Sequence, residues 1–181
     1  MNCQDAAAEW YVLRVTYQRE LSTKEYLDKL NIENFVPIQV VRRRNSKGRF
    51  YRAREAAVHN YIFIRSTKEI IDELKSFRLP ALRYVMHQQN GENQFMVVPE
   101  AQMRNFIAVA GNTDEQVLFL SPEEVALSKG DRVRITGGVF EGVEGVFMRV
   151  KNSRERRVVV KIDGITAVAT ASIPSSLVEK I

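Results

Sequence analysis

Cysteine is nearly missing from this chain of 181 residues. The single one, Cys3, excludes an intramolecular disulfide and a cysteine-based zinc cluster, reads as an inert thiol, and suits a reducing cytoplasm. Long apolar runs are missing as well: none approaches the roughly 20 residues that span a bilayer. Residues 1–8 also lack the basic start and apolar core of a signal peptide, so a soluble, unexported protein is expected, with no membrane partner. No repeat or low-complexity segment appears, which argues against a solenoid or a disordered tail. His59 and His87 have no cysteine or paired carboxylate at a ligand-like spacing, and no serine sits in a nucleophile elbow. The expectation is therefore no metal, no cofactor and no catalysis.

What is present divides unevenly along the chain. Residues 1–110, 111–127 and 128–181 carry net charges of +5, −4 and +4. The overall excess of +5 favours anionic partners without proving nucleic-acid binding. The acidic middle contains turn and cap signals, Gly111-Asn112-Thr113-Asp114 and Ser121-Pro122-Glu123-Glu124, and reads as a linker around the apolar run Val117 to Leu120. Domains are expected at 9–110 and 128–181.

In the first domain, Trp10 to Val15 is aromatic and β-branched, as a strand should be. Leu21, Tyr26, Leu27 and Leu30 follow on a helical stripe, with Glu20, Lys24, Glu25, Asp28 and Lys29 on the polar face. Phe35 to Val41 and Tyr61 to Ile64 read as strands, Lys68 to Phe77 as a helix with Ile70, Ile71 and Leu74 inward, and Pro99 opens a third helix. Strands interleaved with helices predict an α/β or α+β domain, a small sheet flanked by helices. After residue 128, short strands separated by glycine predict an all-β SH3-like barrel.

Two groups of motifs carry more. Gly130-Asp131 with Val133 and Ile135 on an alternating strand, then Gly138, Phe140, Gly142 and Gly145, resembles a KOW motif, the glycines permitting a tight turn. Trp10-Tyr11-Val12-Leu13, Phe35-Val36-Pro37 and Asn60-Tyr61-Ile62-Phe63-Ile64, in this order ahead of such a barrel, resemble the NusG N-terminal (NGN) domain. The likeness to the NusG family covers about residues 9–181. The Asn-Tyr pair, without Pro-Gly before it, is more like the specialised antiterminators than the housekeeping factor.

That resemblance implies a monomeric transcription factor that caps the RNA polymerase clamp helices with an apolar depression on its sheet. Tyr61 and Phe63 match the family's contact strand and, two apart, share a face. Met103 or Phe106 could complete the depression, although all four could instead fill the core, above all Phe106. Arg14 stands where the family often has an aromatic residue. Phe140 matches a position used to contact a ribosomal protein or a termination factor.

Arg42-Arg43-Arg44-Asn45-Ser46-Lys47-Gly48-Arg49-Phe50-Tyr51-Arg52-Ala53-Arg54 holds seven cations and no acid, with a hairpin tip at Asn45 to Gly48. Cations interleaved with Phe50 and Tyr51 suit phosphate contact plus stacking on bases, here DNA at the transcription bubble. A solvated edge hairpin is the competing reading. Lys151 to Arg157 reads as a second basic hairpin with the same two alternatives. A ribosome-associated RNA-binding protein, led by the KOW barrel, is the competing function.

Overall fold

The computed structural model describes residues 7–112, 117–121, 130–150 and 155–181. They form two compact units, Met1–Pro37 with Val41–Glu100, and Ile38–Val40 with Ala101–Ile181.

The first unit is organised by β1 (Glu9–Arg14) and β5 (Tyr61–Ser66), antiparallel along their whole length from Glu9 opposite Ser66 to Arg14 opposite Tyr61. Strand β2 (Asn34–Phe35) pairs the outer edge of β5, and β6 (Arg83–Tyr84) and β9 (Val97–Val98) pair the other edge of β1. Alternation sends Tyr11, Leu13, Ile62 and Ile64 to one face. There they form a core with Leu27 of α1 (Glu20–Lys29), Ile71 of α2 (Lys68–Glu73), Leu74, Val36 and Leu82. Each such fully buried aliphatic side chain contributes about 1.5–3 kcal/mol. The opposite face carries Trp10, Val12 and Arg14 beside Arg65, Phe63 and Tyr61.

The structure alters three readings of this unit. The strand expected over Phe35 to Val41 is broken at Pro37: Asn34–Phe35 stays in the sheet, while β3 (Ile38–Arg44) leaves to pair with β4 (Phe50–Ala56). Proline has no N–H to give a ladder, and here its carbonyl accepts the Ala57 N–H at 2.8 Å. Helix α2 gives way after Glu73 to a π-type turn, Leu74–Arg78, closed by Leu79 N–H donating to the Leu74 carbonyl. The wider turn shifts the phase, so Leu74 points in while Phe77 is 82% exposed, and Ile70 is exposed beside Ile71. Glu20, expected on the polar face of α1, is buried. A further hairpin, β7 (Met86–Gln89) with β8 (Glu92–Phe95), turns at Asn90-Gly91.

The second unit contains all of α3 (Glu100–Ala110) beyond Glu100, and six antiparallel strands. These are β10 (Leu118–Leu120), β11 (Asp131–Ile135), β12 (Glu144–Arg149), β13 (Arg156–Ile162), β14 (Thr166–Ala169) and β15 (Val178–Lys180). Their order is β10-β14-β13-β12-β11-β15, with no pair closing the sheet into a barrel among the described residues. Strand β10 lies within the stretch read as linker, with Leu118 opposite Ala169. Helix α3 is tied to the sheet by its amides: Gln102 Nε2 donates to the Lys161 carbonyl at 2.7 Å, and Asn105 Oδ1 accepts the Glu144 N–H at 3.3 Å.

Glycine acts in two different ways around the start of β12. Gly142 has φ +83°, which a side chain would strain. Gly145 needs no positive φ. A Cβ there would come within 2.7 Å of the Val159 carbonyl oxygen, so its role is close approach of β12 to β13.

Candidate functional site

The basic segment folds as the hairpin β3–β4, and its tip is built by one side chain. Asn45 Oδ1 accepts the N–H groups of Lys47 at 3.0 Å and Arg49 at 2.9 Å, while Gly48 takes φ +77°. Arg44 Nε then donates to the Gly48 carbonyl at 3.0 Å. Asparagine and glycine serve here because one caps its own turn and the other tolerates the left-handed region.

Alternation sorts the hairpin into two unlike faces. The Arg42 guanidinium lies 3.9 Å from the Phe50 ring centroid and that of Arg44 5.7 Å, which places Arg42, Arg44 and Phe50 together, with Arg52 and Arg54 in phase with Phe50. Arg43 points the other way and forms a two-pronged pair with Glu55, at 2.7 and 2.6 Å. The Arg43 hydrogen bond holds the Glu55 carboxyl below its ordinary range, and the same bond raises the guanidinium. Six of the seven expected nucleic-acid cations, Arg42, Arg44, Lys47, Arg49, Arg52 and Arg54, have no carboxylate at ion-pair distance among the described residues; Arg43 does. Sequence reasoning missed this pair because Glu55 falls just past the acid-free run. Both aromatic residues are exposed, Phe50 with the Arg42 guanidinium against its ring and Tyr51 on the face of Arg43.

The expected polymerase contacts separate. Tyr61 and Phe63 do share a face of β5, but Tyr61 is half-buried and Phe63 is 0% exposed, in the central row opposite Val12 and Phe35. Met103 and Phe106, one helical turn apart on α3, are also fully buried, with Val109 and Ala110 on the same helix. Of the four, only Tyr61 presents surface in this structure. Beside it, Arg14 is exposed, its guanidinium 5.9 Å from the Tyr61 ring.

Sequence reasoning also missed what positions Tyr61. Buried Glu20 accepts the Asn60 N–H at 2.5 Å, and the Asn60 carbonyl takes the Val15 N–H at 2.9 Å. These two bonds hold Asn60 at φ +68°, a conformation asparagine tolerates better than most residues, directly before the strand. The Asn-Tyr pair was the available signal.

In the second unit, Val133 and Ile135 are buried as the alternation requires, and Asp131 accepts a hydrogen bond from Lys180 at 2.9 Å. Gly130 lies against β12, where a Cβ would meet the Phe147 carbonyl oxygen at 2.6 Å, and Gly138 has φ +84°. Phe140, the expected partner contact, is buried, and its neighbour Val139 is 69% exposed. Of the second basic hairpin, Lys151, Asn152, Ser153 and Arg154 lie outside the described residues, and Arg156 stands 5.6 Å over Phe147. No cluster of three or more His, Cys, Asp or Glu able to hold a metal occurs among the described residues. No helix among them is long and apolar enough to cross a membrane.

The first unit is thus a small sheet with helices packed on one face, beside a cationic hairpin. The model of the transcription termination factor NusG family matches residues 8–107, more than half the chain, so the protein belongs to the NusG family. No curated protein matches it.

Proposed function

We propose that this protein is an antiterminator of the NusG type: it binds RNA polymerase, holds nucleic acid at the upstream edge of the transcription bubble, and so reduces pausing and termination. It works as a cytoplasmic monomer and catalyses nothing. The observation that carries this is the two-faced hairpin. Arg42, Arg44, Arg52 and Arg54 face one way without a carboxylate, a pattern that costs self-repulsion which an external polyanion would relieve. Tyr51, on the opposite face, is the residue available to stack on an unpaired base. A purely solvating hairpin has no need to segregate its charge.

Polymerase docks at the sheet face that includes Tyr61, the accessible aromatic residue at its edge, with the fully buried Phe63, Met103 and Phe106 supporting the fold. The C-terminal sheet is an SH3-like KOW domain that engages a second partner, a ribosomal protein or a termination factor, through the loop that exposes Val139. The test is binding of the full-length chain to a polymerase elongation complex with a bubble, as a function of salt. Replacing Arg42, Arg44, Arg52 and Arg54 by Gln should lower the log-log salt slope by about 0.9 for each phosphate no longer neutralised on duplex, or about 0.7 on single strand. An unchanged slope would return the hairpin to a solvated edge. Retention on ribosomes with none on polymerase would favour the RNA-binding ribosomal reading.

A further inference from the structure

Asparagine and glutamine are spread thinly along the chain except in one place: five of its eighteen carboxamides fall within residues 88–94. That segment is the outer part of the hairpin β7–β8, where Gln88 is the register partner of Asn93 and Gln89 that of Glu92. Asn90 and Gly91 between them have φ +53° and +83°, as a two-residue turn matched to the strand twist requires, so these two answer to the turn. Gln88, Gln89, Asn93 and Gln94 do not. All four are exposed, and none has a side-chain hydrogen bond to another described residue. Elsewhere the carboxamides of Asn34, Asn45, Gln102 and Asn105 each hold a backbone group or a carboxylate. Asparagine is also disfavoured in strands, so local structure does not call for this cluster. The hairpin is fixed at its root, where the Phe95 ring lies 4.3 Å from that of Tyr84 and packs against the core.

We infer that this hairpin reads base edges in the major groove of duplex DNA, with Gln88 and Asn93 directed at adenine. The inference rests on the nucleic-acid part of the reading above and adds sequence selectivity to it. A carboxamide sets a donor beside an acceptor, the pattern that pairs with adenine N6 and N7, and Glu92 at the tip can accept from cytosine N4. Register partners project to the same face, so Gln88 and Asn93 are presented together. Strands of four residues reach about 13 Å, more than the groove's depth of about 8.5 Å, and its width of about 12 Å admits a two-stranded ribbon.

Other partners fit less well. Residues 86–95 hold no lysine or arginine, and Glu92 repels phosphate, so backbone contact is not the hairpin's own task. Residues 88–94 contain no aromatic side chain on which an unpaired base could stack, and no apolar centre for a protein interface. The major groove of an RNA helix is too narrow to enter. Affinity for phosphate comes instead from Arg42, Arg44, Arg52 and Arg54 of β3–β4, in the same compact unit. One hairpin thus positions the duplex and the other specifies its sequence.

The experiment offers the full-length chain two DNA pools, one duplex and one single-stranded, each randomised over about one helical turn, and sequences what is retained. The duplex pool should yield a preferred site that includes adenine, and replacing that pair should weaken binding about tenfold. Gln88→Ala with Asn93→Ala should bring the preferred duplex down to the affinity of an unselected one. Binding of the unselected duplex, its salt slope and the melting temperature should stay as in the wild type. Gln88→Thr with Asn93→Thr, better suited to a strand, should lose the preference equally while melting no lower. Arg42→Gln with Arg44→Gln should weaken both duplexes together and leave their ratio intact. Wild-type protein that binds the duplex pool without enriching any sequence overturns the inference and leaves the nucleic-acid reading standing. So does a preference that survives in both double variants of Gln88 and Asn93, or one that arises only from the single-stranded pool. Wild-type protein that retains neither pool removes the reading and the inference together.

Discussion

The central sheet of the first unit and the β3–β4 hairpin are both built of strands that carry aromatic residues, yet they put them to opposite uses. Phe63 is 0% exposed between Val12 and Phe35, while Phe50 is 58% exposed under the guanidinium of Arg42. Burial makes a residue answerable to stability; exposure leaves it free to be selected for a partner. The contrast teaches that aromatic content alone does not locate a docking surface, since Phe63, one of the two residues that matched a contact strand by sequence, lies inside.

The sharpest way to break this comparison is Phe63→Ala, which should cost about 3–5 kcal/mol of unfolding free energy in denaturant titration. Phe50→Ala, by contrast, should stay within about 0.5 kcal/mol. Equal effects would mean that the two regions are not distinct. Within the second unit, Gly145→Ala should cost about 1–3 kcal/mol, because its Cβ meets the Val159 carbonyl oxygen and the Val158 side chain, each at 2.7 Å. A neutral result there would show that β12 can shift away from β13.

Smaller effects separate the hairpin's own two faces. Arg43→Gln should leave the salt slope of nucleic-acid binding nearly as it was, since Arg43 already has Glu55 as partner. A drop as large as for Arg44→Gln would show that the ion pair opens on binding. The smallest effect is on pH: Arg43 holds the Glu55 carboxyl below its ordinary range. With the folded pKa depressed, the pair's contribution is present above the ordinary carboxylate range and is lost as pH falls through the folded value. NMR titration should find the Glu55 carboxyl higher in the Arg43→Gln protein than in the wild type, and an unchanged value would contradict the geometry.

Much of the fold was legible because alternation and helical spacing are local signals. The β1 and β5 strands, the start of α3 after Pro99 and the strands from Asp131 to Ala169 all follow from them. Other features depend on partners distant in sequence. Glu20 looks polar on its helix, but its role is set by Asn60, forty residues on. The apolar run at Leu118–Leu120 is short and flanked by turn signals, so only its pairing with β14 distinguishes it from linker. Phe77 needed knowledge of a π-type turn, which has no periodicity to read. Of the candidate site, the cations of the hairpin were visible as composition. Their division into two faces was not, because it depends on the register that Asn45 and Gly48 impose at the tip.

The most direct test offers the full-length chain an equimolar mixture of purified RNA polymerase and ribosomes and measures which is retained. The account predicts polymerase, with retention weakened by Tyr61→Ala while the melting temperature stays close to that of the wild type. Retention of ribosomes, or polymerase retention indifferent to Tyr61→Ala, would contradict it.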